Sequence, residues 1–219
     1  MDNIDNIIFL VLLSLLCSAV LFSSDMMGLI ALLFSFLVIF KTIFKGLNLK
    51  KEKSFFKNYD KVLFIFFLIV TMSLFASTLF KLSLHGYLKT LIYIVFFYCA
   101  SIYFKDNKNK IFPLILCVCA LMSFESIIAI AQNAGGVSEI SGWQDTTNIN
   151  PEEVVSRAYG TLQPYNPNLL AGYLLCGLSA FIYMILRNLK KGRRKFALLF
   201  LVLFLINLVA IIDTGCRGA

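Results

Sequence analysis

From Phe196 to Ile212 the chain carries no charged side chain and one polar one, Asn207. About 18 to 20 such residues, coiled as an α-helix, cross the ~30 Å of a bilayer's hydrocarbon. Runs of this kind recur at about 7–22, 26–44, 62–80, 87–104, 111–133, 168–186 and 196–213. Seven spans are therefore predicted, each a helix, because a helix satisfies its own backbone N–H and C=O groups where water is absent. The expected fold class is all-α, a multi-pass transmembrane bundle. Composition agrees. Hydrophobic residues make up 59% of the 219, and charged residues only 15%, against about 25% in a soluble domain.

The organisation follows from the gaps between runs. Residues 1–133 hold helices one to five, 134–167 form a loop, and 168–219 hold helices six and seven. Ser23, Ser24 and Asp25 make a tight hairpin of the first two spans. The first span lacks the basic start and small-residue cleavage pattern of a signal peptide, so it is read as retained. No inverted repeat of the kind found in many transporters is visible.

Orientation is read from lysine and arginine. Segment 41–61 holds seven Lys, 105–110 three, and 187–195 six basic residues, 16 of the 20 in the chain. Cytoplasmic loops carry such an excess. The N-terminus and these three segments are thus predicted to be cytoplasmic, and 134–167 extracytoplasmic. Only Lys81, Lys89, Arg157 and Arg217 fall on the other side. The net charge of +8 is an orientation signal that also attracts anionic lipid headgroups. It forms no clustered basic face on a soluble element, which a nucleic-acid footprint requires.

Loop 134–167 is rich in Gly, Ser, Thr, Asn and Pro, and sets Glu139, Asp145, Glu152 and Glu153 against Arg157 alone. A loop of this length is more often functional or mobile than a plain connector. The six cysteines, Cys17, Cys99, Cys117, Cys119, Cys176 and Cys216, lie in or at the ends of spans and read as small buried hydrophobes. Cys117 and Cys119, two apart on a helix, point to nearly opposite faces and share neither metal nor disulfide. No His/Cys ligand spacing appears. His85, the only histidine, is expected in the short outer connection before the fourth span, making interfacial hydrogen bonds.

The outer end of the sixth span carries more chemistry. In RAYGTLQPYNPNLLAGY, Asn166 suits an N-cap and Pro167 the first helical position, where its missing N–H costs nothing. A helix start there carries partial positive charge and binds anions. Arg157 lies upstream on the same side and Arg217 at the outer end of the seventh span. Two guanidiniums and a helix start suit a phosphate or diphosphate, which Arg grips bidentately. The plainer alternatives are a simple cap, a pair of Arg157 with Glu152 or Glu153, and a surface salt bridge between Asp213 and Arg217 at i,i+4. Glu125 falls within the fifth span, where an ionisable group is costly unless it faces the bundle or water. Asn207 and Gln132 are its expected partners. Its reading is open between a substrate or acid/base role and an interhelical lock.

The stretch Arg157-Ala-Tyr-Gly-Thr-Leu, followed by Asn166-Pro167-Asn168-Leu-Leu-Ala-Gly-Tyr and later by Thr214-Gly-Cys-Arg217-Gly218-Ala219, resembles the O-antigen ligase superfamily. Its motifs cover about 157–219; upstream the likeness is one of hydropathy. Cys216 stands where Ser is usual, and Pro164-Tyr165 looks like an insertion. The resemblance implies a membrane-embedded glycosyltransferase of the GT-C-like class in the bacterial inner membrane, serving surface polysaccharide or lipopolysaccharide biosynthesis. Such an enzyme moves a glycan from a polyprenyl-diphosphate carrier to a glycan, lipid or protein acceptor at the extracytoplasmic face. It implies no nucleotide sugar, obligatory metal or other cofactor. Arg157 and Arg217 would hold the leaving diphosphate, with Asn166, Asn168, Thr161 and Glu125 completing the candidate substrate-binding set. Family members continue into a large outer loop with a functional His. The chain given is therefore expected to be the N-terminal part of a longer protein, inactive by itself. A branch of the same superfamily is assigned to bicarbonate transport, the alternative function.

Overall fold

The computed structural model describes residues 2–21, 24–44, 60–135, 157–162 and 165–216. Among these, seven α-helices and one 3-10 turn are present and no strand. The helices are α1 (Asp2–Leu21), α2 (Ser24–Phe44), α3 (Asp60–Phe75), α4 (Phe80–Asp106), α5 (Ile111–Ala134), α6 (Pro167–Lys190) and α7 (Arg194–Asp213), with the 3-10 turn at Lys108–Lys110. Five stretches are long and apolar enough to cross a membrane: Met26–Phe44, Phe80–Asp106, Lys108–Ala134, Pro167–Lys190 and Arg194–Asp213. The apolar helices at Asn3–Cys17 and Lys61–Phe75 are shorter. The protein is thus a helical membrane bundle, in which five of the seven expected runs reach spanning length.

The break between α3 and α4 falls earlier than the hydropathy suggested. α3 stops at Phe75, and the Ser77 hydroxyl accepts from Leu79 N at 3.2 Å and meets Ser83 Oγ at 2.5 Å. A serine that bonds its own neighbours offers the backbone an alternative to the helix. α4 then begins at Phe80, so His85 lies inside a helix and not in a connection. Between Phe80 and Thr90 Gly86 is the one weak helix former, and a single glycine does not end a helix; the dip in hydropathy there reflects Lys81, Ser83, His85 and Lys89.

Two compact units form. The first comprises 1–18 and 24–112, the second 19–23 and 113–219. In the first, Phe34 is fully buried, with ring centroids 5.2 Å from Phe96 and 5.9 Å from Tyr103. Tyr103 donates its hydroxyl to Asp5 O at 3.0 Å, and Asp5 pairs with Lys41. Asn107 Nδ2 donates to Tyr103 O at 3.0 Å. The start of α1 and the ends of α2 and α4 therefore meet at one level, with α1 antiparallel to both and α2 and α4 parallel to each other.

In the second unit Leu170, Leu174, Phe181 and Ala210 are fully buried. α5 approaches α6 at Gly177, where a Cβ would stand 2.6 Å from Met122 Cγ. Small residues let membrane helices close to backbone contact, which lipid-like side chains alone do not drive. Outward faces keep Leu186, Leu198 and Leu205 exposed, as a helix surrounded by lipid requires.

Candidate functional site

Within the second unit the last turns of α5, the segment 157–162, the start of α6 and the end of α7 come together. Each contributes polar groups that its own helix cannot use. α6 opens as its sequence demands: Asn166 is extended (φ −133°, ψ 117°), and its side chain accepts from Asn168 N at 2.8 Å, with Pro167 at the first position. That bond satisfies one of the orphan N–H groups of the helix start.

Arg157 ties three of these pieces. Its Nε donates to Thr214 O at 2.8 Å, and its Nη2 donates to Asn168 Oδ1 at 2.9 Å. The backbone beside it is held too, Ala158 N donating to Asp213 O at 3.1 Å. Two of the guanidinium's five donors are engaged in these bonds, which fix its plane against the end of α7 and the start of α6. Thr214 is fully buried, donates to Ile211 O at 2.6 Å and accepts from Cys216 N at 3.2 Å.

Segment 158–161 is gripped by α5. Gln132 Oε1 accepts from Tyr159 N at 3.1 Å and Gly160 N at 2.9 Å, while its Nε2 donates to Gly160 O at 3.2 Å. Glu125, fully buried, accepts Thr161 N on Oε2 at 3.0 Å and the Thr161 hydroxyl on Oε1. Gly160 sits at φ 67°, and a Cβ there would lie 2.5 Å from Glu125 Oε2 and 2.9 Å from Leu170 Cδ1. Both the left-handed backbone and the space exclude a side chain. Tyr159 and Tyr165 pack edge to face, centroids 5.5 Å apart.

The expected partners of Glu125 are thus corrected. Gln132 bonds the neighbouring residues of the same segment. Asn207 donates from Nδ2 to Ser126 Oγ at 3.0 Å, and its Oδ1 is buried without a hydrogen-bond partner among the described residues. Glu125 holds a loop segment, not a second helix. Asp213 accepts from Asn133 Nδ2 at 2.9 Å.

Of the predicted site residues, Arg157, Thr161, Asn166, Asn168 and Glu125 gather in this unit. Arg217 lies outside the described residues, as do Glu139, Asp145, Glu152 and Glu153. Asn133 and Thr214 are additions. Their signals were present: an amide pair closing an apolar helix in Gln132-Asn133, and Thr-Gly just past one in Thr214-Gly215. The chain matches no family model, no curated protein and no solved structure.

Proposed function

We propose that this chain belongs to an O-antigen ligase-like glycosyltransferase of the inner membrane, which passes a glycan from a polyprenyl-diphosphate carrier to an acceptor at the extracytoplasmic face. The observation that carries the reading is the pair of bonds from Arg157, one to Asn168 of the Asn-Pro-Asn turn and one to Thr214 of the Thr-Gly-Cys-Arg element. Motif pieces 11 and 57 residues away from Arg157 meet at its guanidinium. The donors left on Arg157 are suited to a diphosphate, and Arg217, three residues beyond Thr214, is the natural second ligand. As the bond from anomeric carbon to diphosphate oxygen breaks, fixed donors stabilise the charge that gathers on the leaving group. The acceptor oxygen forms the new bond and gives its proton to a base. Glu125 does not suit that task, since Thr161 occupies both its oxygens.

The same proposal counts α1 and α3 as spans, making seven, in a GT-C-like bundle. Bicarbonate transport is the weaker reading. It calls for charged groups at the midplane between broken helices, whereas α5, α6 and α7 run unbroken.

The test is Arg157→Lys and Arg217→Lys in the full-length protein, with transfer of lipid-linked glycan measured in membranes. Lys keeps the charge and loses the planar fork. Each substitution is expected to slow transfer at least ~10-fold, about 1.4 kcal/mol of transition-state stabilisation. Near-normal transfer by both variants would sink the diphosphate site.

A further inference from the structure

Within the second unit a tight turn joins α6 to α7, with Gly192 N donating to Leu189 O at 3.0 Å and Arg193 N to Asn188 O at 2.9 Å. Lys190, Lys191, Arg193, Arg194 and Lys195 stand on this turn, all of them exposed. Among the described residues no hydrogen bond or ion pair engages the side chain of any of the five. Arg187 has an interaction of its own and is not counted with them. The acids described in this unit are elsewhere: Glu125 is bonded to Thr161, and Asp213 closes the far end of α7.

An orientation signal does not ask for this arrangement, since positive charge anywhere in a short cytoplasmic loop serves it. Here Arg193, Arg194 and Lys195 crowd the start of α7, the positive end of its dipole, where cations are unfavourable. Arg193 also takes the N-cap position and makes no side-chain cap bond, as Ser, Asp or Asn would. The helix start thus carries a repulsion that a bound anion relieves. α7 has 20 residues, ~30 Å of helix, which matches the hydrocarbon thickness. Arg194 is its first residue, so the turn lies at the level of lipid phosphates. Leu189 and Phe196, 52% and 56% exposed, flank the turn on the hydrocarbon side, where acyl chains pass.

We propose that the α6–α7 turn is a site for an anionic phospholipid that carries two phosphates. One phosphodiester leaves most of the five cations unmatched. Two are met from both sides of the turn, by Lys190 and Lys191 where α6 ends and by Arg193, Arg194 and Lys195 where α7 begins, with the helix axes ~8–10 Å apart. The arginines add charge-assisted, bidentate bonds to phosphate oxygens. The acyl chains run inward past Leu189 and Phe196. This site is independent of the transferase reading.

The protein is purified in an uncharged detergent, and cardiolipin, phosphatidylglycerol or inorganic phosphate is added at matched phosphate concentration. Bound lipid is counted by native mass spectrometry, and stability is followed by thermal unfolding. Cardiolipin is expected to bind ~10-fold more tightly than phosphatidylglycerol, and Arg194→Gln should remove that advantage. Lys108→Gln, which deletes one exposed cation from the 3-10 turn, should keep it. Without lipid, Arg194→Gln should melt above the parent protein, because the repulsion at the start of α7 is eased. With cardiolipin the parent should melt higher. An order of melting that cardiolipin does not reverse would overturn the proposal. So would equal binding of the two lipids, an equal loss in Lys108→Gln and Arg194→Gln, or release of cardiolipin by inorganic phosphate.

Discussion

Glu125 spends both carboxyl oxygens on one residue, Thr161, accepting its backbone N–H and its hydroxyl. An unpaired carboxyl group at 0% exposure would be strongly unfavourable inside a helical bundle. Removing it leaves the part-buried N–H and hydroxyl of Thr161 without their acceptor, so Glu125→Ala is expected to destabilise by about 1–3 kcal/mol. Thr161→Val removes one of the two bonds from the other side. If the pair acts as the geometry says, the double variant loses less than the sum, with a coupling of roughly 0.5–3 kcal/mol in unfolding experiments in mild detergent. Strict additivity would mean that Glu125 and Thr161 do not hold each other. The anomaly was legible in the sequence, because a carboxyl within an apolar run stands out. Its partner was not. Side-chain types mark Asn207 and Gln132 as polar neighbours, whereas half of what Glu125 holds is a backbone N–H, and every residue but proline has one.

Helix boundaries show the same division between local and distant causes. The start of α6 is written in adjacent residues, since an Asn before a Pro supplies both the cap and the fixed φ. The end of α3 depends on Ser77 reaching Leu79 and Ser83, which hydropathy does not record. In helices apolar on every side, a sliding run of hydrophobic residues has no edge to read. The grip of Gln132 on 159–160 was equally hidden, because it needs the Gly160 turn folded back onto α5. The cap of α6 can be tested directly. Asn166→Ala removes the acceptor for Asn168 N and should lower stability by about 1 kcal/mol, whereas Asn166→Asp keeps an acceptor and should restore it. Melting curves in detergent check this. Equal losses for Ala and Asp would show that the hydrogen bond is not what fixes the start of α6, and with it the position of Asn168 beside Arg157.

Across the whole molecule, the sign of charge decides which face can meet the substrate. In the second unit the Arg157–Asn168–Thr214 cluster and the basic turn after α6 stand at opposite ends of a 24-residue helix, ~36 Å apart at ~1.5 Å per residue. If the six basic residues of 187–195 are cytoplasmic, the cluster faces outward, as the proposed transfer requires. Labelling of single cysteines with a membrane-impermeant thiol reagent tests this in a background with Cys17, Cys99, Cys117, Cys119, Cys176 and Cys216 changed to Ala. Gly192 is a poor place for the inner reporter, because its φ of 69° suits glycine. Lys191 is exposed, and Lys191→Cys leaves five of the six basic residues in place. Intact cells should label Asp145→Cys and spare Lys191→Cys until the membrane is opened. Labelling of Lys191→Cys from outside would invert the unit and turn Arg157 toward the cytoplasm. The charge argument would then fail, and the proposed transfer reaction at the outer face would fail with it.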